Sequence, residues 1–285
     1  MKYINEKNSH VCRLIINADD FGENSEINDG IIKAHQEGIV TSASLLMNMA
    51  GLDHALKHIR DNPRLDVGVH LNIYRGTSLT DCPTLTLGGK FLQNTLLLTL
   101  RCYTNKERVR EEIFSEFDAQ VKKAFEAGVS ISHLDTEKHI HTLPFVFDIV
   151  LSVAKKHSIP YVRLPFEPMN AHIILNPTQL YKNILMTLCA PVNKGMLRKS
   201  NLKSPDRLYG VSLSRRFSTP RIEKILKLLP SGISELSCHP GYTPKTLENY
   251  IDTYRYLEMK VLIDTKLKSL VERTGVVLST FPDIG

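Results

Sequence analysis

Leu14-Ile15-Ile16-Asn17-Ala18-Asp19-Asp20-Phe21-Gly22 is an apolar run ended by two adjacent carboxylates. A run this apolar reads as a strand covered on both faces, as in parallel sheets flanked by helices. In such α/β architectures chemistry collects just beyond the carboxyl ends of the strands. One carboxylate can hold a metal ion while its neighbour handles a proton. The plain alternative is a turn, which accounts for Gly22 without any function.

Working outward, short apolar runs recur at residues 13–17, 42–48, 66–71, 131–135, 161–164, 209–212, 234–238 and 275–279, and each reads as a strand. Helical periodicity lies between them. Over 106–127, Val109, Ile113, Phe117, Val121 and Phe125 fall four apart as an apolar stripe, with Asn105 as cap and Gly128 as stop. A second helix over 264–274 is capped by Asp264 and ended by Gly275. This alternation predicts parallel pairing with right-handed crossovers, in either a barrel or an open doubly wound sheet. Residues 72–94 predict a loop or hairpin excursion, and 165–205 a longer one with a helix over 177–189.

Candidate ligands end other strands. His70 lies in Val67-Gly68-Val69-His70-Leu71-Asn72; a lone histidine of this kind is more often a core residue than a ligand. Between Ile131 and His141, the residues His133, Asp135, Glu137, His139 and His141 alternate, and on an extended segment they share one face. His, Asp and Glu are the donor set of a divalent ion such as zinc or manganese. A third cluster is Glu235-Leu236-Ser237-Cys238-His239-Pro240-Gly241-Tyr242. Adjacent strand residues face opposite ways, so Cys238 reads as a small buried side chain rather than a nucleophile paired with His239.

Together these segments resemble the YdjC/ChbG family of carbohydrate deacetylases. Asn17 to Gly22, Gly68 to Asn72, His133-Leu134-Asp135 with His139-Ile140-His141 and Leu143-Pro144, Arg163-Leu164-Pro165, and Cys238 to Tyr242 occur in the family's order, and Leu257 to Leu262 adds a similar tail. The resemblance implies one domain over residues 1–285, an α/β fold with a distorted (β/α) barrel of the glycoside hydrolase/deacetylase type. It implies hydrolysis of the acetamide of an N-acetylated amino sugar or oligosaccharide, with a divalent metal, magnesium foremost and zinc or manganese as alternatives. Carried over by position, Asp20 and His70 are metal ligands, Asp19 the general base and His239 the candidate general acid. Where the family has a further histidine ligand this chain has Glu137. Glutamate coordinates too and makes a harder donor set, but the departure equally suits a non-catalytic sugar-binding relative. Asp135, His139, His141 and Arg163 are candidates to orient the ligands or meet substrate, and Tyr74, Phe166 and Tyr242 to stack on sugar faces.

The residues themselves allow the chemistry. Amide hydrolysis needs an activated water, a stabilised oxyanion and a proton for the departing amine. Asp19 would take the water's proton, and His239, titrating near neutrality, would supply the amine. A metal-dependent phosphoesterase uses similar ligands and is the rival reading.

Bulk properties agree. A chain of 285 residues with 42% hydrophobic residues fits one large α/β domain. Five cysteines without a Cys-x-x-Cys pair argue against a disulfide framework or a structural zinc site and predict a reducing, cytoplasmic compartment. The polar start, Met1 to Val11, predicts neither a signal peptide nor a membrane span. The net charge of +6 is uneven: residues 194–227 hold ten basic side chains against Asp206 and Glu223. A solvated basic face is the default reading. The sharper one is an acidic partner, either an anionic or lipid-linked sugar or a membrane surface. No motif suits nucleic acid, and a homodimer is left open.

Overall fold

The computed structural model of the chain describes residues 11–168, 177–242 and 250–284. Its strands are β1 (Cys12–Phe21), β2 (Ser42–Leu45), β3 (Asp66–Leu71), β4 (Thr86–Leu87), β5 (Lys90–Phe91), β6 (His133–Thr136), β7 (Tyr161–Val162), β8 (Arg207–Tyr209), β9 (Gly232–Cys238) and β10 (Val277–Leu278). β4 and β5 form the hairpin of the 72–94 excursion. The others make one parallel sheet in the order β7-β6-β3-β2-β1-β9-β8, with β10 beside the start of β1. Its two edges meet. Tyr161 bridges Lys203 in parallel, Val162 N–H donates to Lys203 O at 2.9 Å, and Leu208 N–H donates to Phe166 O at 3.0 Å. The sheet therefore curls into a distorted (β/α) barrel rather than lying open.

Period-two alternation decides what the barrel encloses. On β1, Leu14, Ile16 and Ala18 pack outward against the helices in the main core, while Ile15 points inward to Tyr161 and Phe281. Above that small apolar floor the interior is polar. Asn17, Asp19, Ser44, His70, His133, Asp135, Arg163, Glu235 and Ser237 are all buried there and joined by hydrogen bonds. Buried polar groups are tolerable only when paired, so this interior is a bonded network and not a greasy core.

The helix over Lys106–Glu126 buries Val109, Ile113, Phe117 and Val121, but Phe125 is 44% exposed and Asn105 makes no side-chain cap. The helix Thr265–Thr274 has the expected ends, with Asp264 Oδ1 accepting from Lys266 N–H and Gly275 left-handed. The helix expected over 177–189 runs on to Ser200 with Pro191 inside it. Tertiary anchors outweigh the proline: Asn193 Nδ2 donates to Thr142 O, and Asn183 Nδ2 to Glu167 Oε2. Among the described residues no helix is long and apolar enough to cross a membrane.

Candidate active site

On a regular strand Asp19 and Asp20 would point to opposite faces. The β1–β2 register slips between Ala18 and Phe21, and Asp20 takes φ 70°, a left-handed conformation that aspartate tolerates better than most residues. Gly22 follows at φ 90°, where a Cβ would meet Leu46 O at 2.8 Å. The bulge brings both carboxylates to the same end of the barrel, where they are 1% and 3% exposed.

Beneath Asp19 lies Arg163, fully buried after β7. Its guanidinium donates to Asp19 Oδ1 at 2.7 Å and Oδ2 at 3.0 Å and to Glu235 Oε1 from Nη2 at 2.6 Å and Nε at 2.8 Å, and it forms an ion pair with Asp135 Oδ2 at 2.6 Å. Asp19 also accepts from Asn17 Nδ2 and Ser237 Oγ. Burial opposes its charge, but Arg163 overcomes that and holds the Asp19 pKa at about 2. Asp19 is thus an ionised, tightly oriented carboxylate.

Asp20 Oδ1, His70 Nε2 and Glu137 form the second cluster, their donor atoms within 4.8 Å of one another. His70 Nε2 is 3.3 Å from Glu137 Oε2 and 3.8 Å from Asp20 Oδ1, while its Nδ1 bonds Asp135 Oδ1 at 2.7 Å. That is the carboxylate-to-imidazole support expected behind a metal-binding histidine. Two carboxylates and an imidazole can hold a divalent ion, and Glu137 Oε1 is buried without an aligned hydrogen bond. Donor atoms of Asp19, His70 and Asp135 also lie within 4.8 Å of one another, but Arg163 already pairs with both of those carboxylates.

Cations now neutralise the donors. Arg75 Nη2 reaches Asp20 Oδ1 at 2.6 Å and Glu137 Oε2 at 3.3 Å, and Arg255 Nη2 reaches Asp20 Oδ2 at 2.5 Å. Burial disfavours the charged Asp20, yet Arg75 and Arg255 keep its pKa well below the ordinary value. Burial likewise works against a charged His70, but Asp135 pushes its pKa well above the usual imidazole range. Arg75 is placed by Asn72, whose Oδ1 caps the Tyr74 and Arg75 amides.

His239 follows β9 with its side chain 28% exposed, more open than either aspartate. Its Nε2 is 4.0 Å from Asp19 Oδ2, and Glu258 Oε2 accepts its backbone N–H at 2.6 Å and faces Nδ1 at 3.8 Å. Burial lowers the His239 pKa, but Glu258 more than compensates and leaves it raised.

The alternation expected through 131–141 holds only to Thr136. Lys138 and His139 are left-handed, at φ 57° and 54°, so the segment turns instead of extending. His133, Glu137, His139 and His141 therefore do not share one face. His133 stacks on Phe281 with centroids 3.7 Å apart, and burial holds its pKa at about 4. His141 Nε2 bonds Arg163 O, and His139 lines a separate cavity. Phe166 is covered by Lys194, whose Nζ lies 4.0 Å from the ring centre. Cys238 is fully buried, its thiol pushed well up by burial. Arg75, Arg255, Glu258 and Ser237 had no role in the sequence reading; Asn72 three residues before Arg75 was the one local clue.

A (β/α) barrel with a buried acid and imidazole cluster able to hold a metal ion is the class this fold and site define. The family model described as YdjC-like protein matches residues 13–273, and the chain belongs to that family. A curated carbohydrate deacetylase of Brevibacillus brevis is 32% identical over 96% of this chain and 100% of its own length. Another from Halalkalibacterium halodurans is 32% identical over 90% and 97%. A crystal structure from Enterococcus faecalis V583, provisionally described as a cellobiose-phosphate cleavage protein, has the same fold with a TM-score of 0.76 at 24% identity, covering 96% of this chain and 99% of that one.

Proposed function

We propose that this protein is a cytoplasmic carbohydrate deacetylase, hydrolysing the N-acetyl group of an amino sugar with the help of a divalent metal ion. The observation that carries the reading is the meeting of Asp19, Asp20, His70, Glu137 and His239 at one barrel mouth. The deacetylase name of the relatives supports it. Asp20, His70 through Nε2 and Glu137 would hold the ion, magnesium foremost, since carboxylate oxygens suit harder ions such as magnesium or manganese better than zinc. When bound, the ion polarises the acetyl oxygen and acidifies water.

The remaining work falls to side chains of this chain. Asp19 accepts the proton of the attacking water, its orientation fixed by Arg163, Asn17 and Ser237. His239, its pKa raised by Glu258 against the effect of burial, gives a proton to the departing amine. Asp135 keeps His70 Nε2 turned toward the donor group, and His141 steadies the backbone of Arg163.

Metal analysis of the purified protein, together with acetate release from N-acetylglucosamine oligomers, tests the reading. Metal-dependent acetate release is expected. Turnover of phosphate esters without acetate release would replace it by a phosphoesterase, and oligomer binding without turnover by a sugar-binding protein.

A further inference from the structure

Glu137 closes one side of the metal-donor group, and the next two residues belong to a different space. Lys138 contacts Glu137 Oε1 with Nζ at 3.0 Å and also lines, with His139, a cavity of about 300 Å³. That volume is within the range of small-molecule sites. Its walls are Leu98, Ile140, Leu143, Val146, Leu185 and Met186, contributed by three helices and the 137–142 turn.

Burying sugar hydroxyls against these six apolar side chains would be costly. The polar groups are Lys138, His139, Lys182, the Tyr181 hydroxyl and two threonines. His139 is 9% exposed and its Nδ1 is buried without a hydrogen-bond partner. Lys182 is held below the usual lysine range by burial and by the charge of Lys138. An anion between these side chains would offset the burial of Lys182 and give His139 a partner. Of the lining residues Tyr181 is more than half exposed, and the two helices that supply Leu98 and Leu185 carry further exposed apolar side chains, Leu96 and Leu100 on one and Leu188 on the other.

We propose that this cavity receives an apolar aglycone, so that the substrate is an N-acetylated amino sugar joined through an anionic group to a long hydrocarbon chain. Lys138 links the two spaces: the acetamide lies on the Glu137 side of it, the anionic linker against Lys138, His139 and Lys182, and the chain among the leucines. The inference rests on the deacetylase reading and adds its substrate class.

Acetate release by the metal-loaded protein from methyl, hexyl, octyl and dodecyl glycosides of N-acetylglucosamine, below their micelle concentrations, tests it. kcat/KM should rise about fourfold per methylene until the cavity is full. The dodecyl phosphodiester should exceed the neutral dodecyl glycoside by about tenfold, as a charge-assisted contact predicts, and Lys182→Gln should erase that advantage. Leu185→Trp, which fills the cavity from its wall, should flatten the series and leave the methyl glycoside unchanged. Equal turnover of methyl and dodecyl glycosides by the unaltered protein would overturn the inference and leave the deacetylase reading standing. Acetate release from none of them would overturn that reading instead. Calorimetric titration with dodecyl phosphate alone then decides the cavity: binding that Leu185→Trp abolishes supports it, and no binding overturns it.

Discussion

Glu235→Gln should stabilise the protein at pH 8 and change little at pH 4.5. Glu235 is 1% exposed; its Oε1 takes two N–H groups of Arg163 and its Oε2 has no partner. Burial dominates and raises its pKa from 4.5 to about 7, because Arg163 divides its charge among three carboxylates. Between those two values the folded chain holds a proton that the unfolded chain has released. Stability from this group is therefore complete below pH 4.5 and is lost as pH rises through 7. The loss approaches about 3 kcal/mol, at about 1.4 kcal/mol per pH unit. Glutamine keeps an acceptor for Arg163 and never acquires the charge. Urea midpoints of both proteins at pH 4.5, 6, 7 and 8, at unchanged m-value, should converge at the acid end and separate toward pH 8. Parallel curves, or a variant less stable at pH 8, would refute the reasoning.

Asp19→Asn should keep bound metal and lose about 10²- to 10⁴-fold in turnover, whereas Asp20→Asn should lose metal too; equal metal loss by elemental analysis would end that division of roles. His239→Ala should slow amide cleavage more than cleavage of an activated acetyl ester. Because the His239 pKa is raised, the unaltered protein's activity should fall as pH climbs through it, and the variant's profile should lack that limb. Glu137→His removes an anionic oxygen donor and should tighten zinc relative to magnesium, read by competition titration; unchanged preference would mean that Glu137 is not a ligand. Arg75→Met should free lone pairs on Asp20 and Glu137 and raise divalent-metal affinity, by about tenfold if one charge-assisted contact is relieved; calorimetry showing weaker binding would mean that Arg75 orders the donors rather than competing for them.

Barrel closure was beyond the reach of periodicity because the seam is made at Lys203, in a mixed basic stretch without an apolar run. β1 was legible for the opposite reason, since nothing but a doubly covered strand explains Leu14 to Ala18. The bulge was hidden: only Gly22 hinted at it, and adjacent aspartates on a regular strand would have diverged. The 131–141 segment misled because the left-handed residues there are lysine and histidine, not glycine. Arg75 and Arg255 come from a loop and a distant helix, and no local pattern tells which half-exposed arginine will fold onto a carboxylate.

β1 takes its neighbours from both ends of the chain, β2 at residues 42–45 on one side and β9 at 232–238 along most of the other. During synthesis Asp19 and Asp20 emerge early, but the strand that covers the Cys12–Ala18 edge is made late. A growing chain therefore displays an unpaired apolar edge for most of its translation, the kind of surface on which nascent proteins aggregate or engage chaperones. The strand that carries the two aspartates is for the same reason the chain's principal hazard on the ribosome.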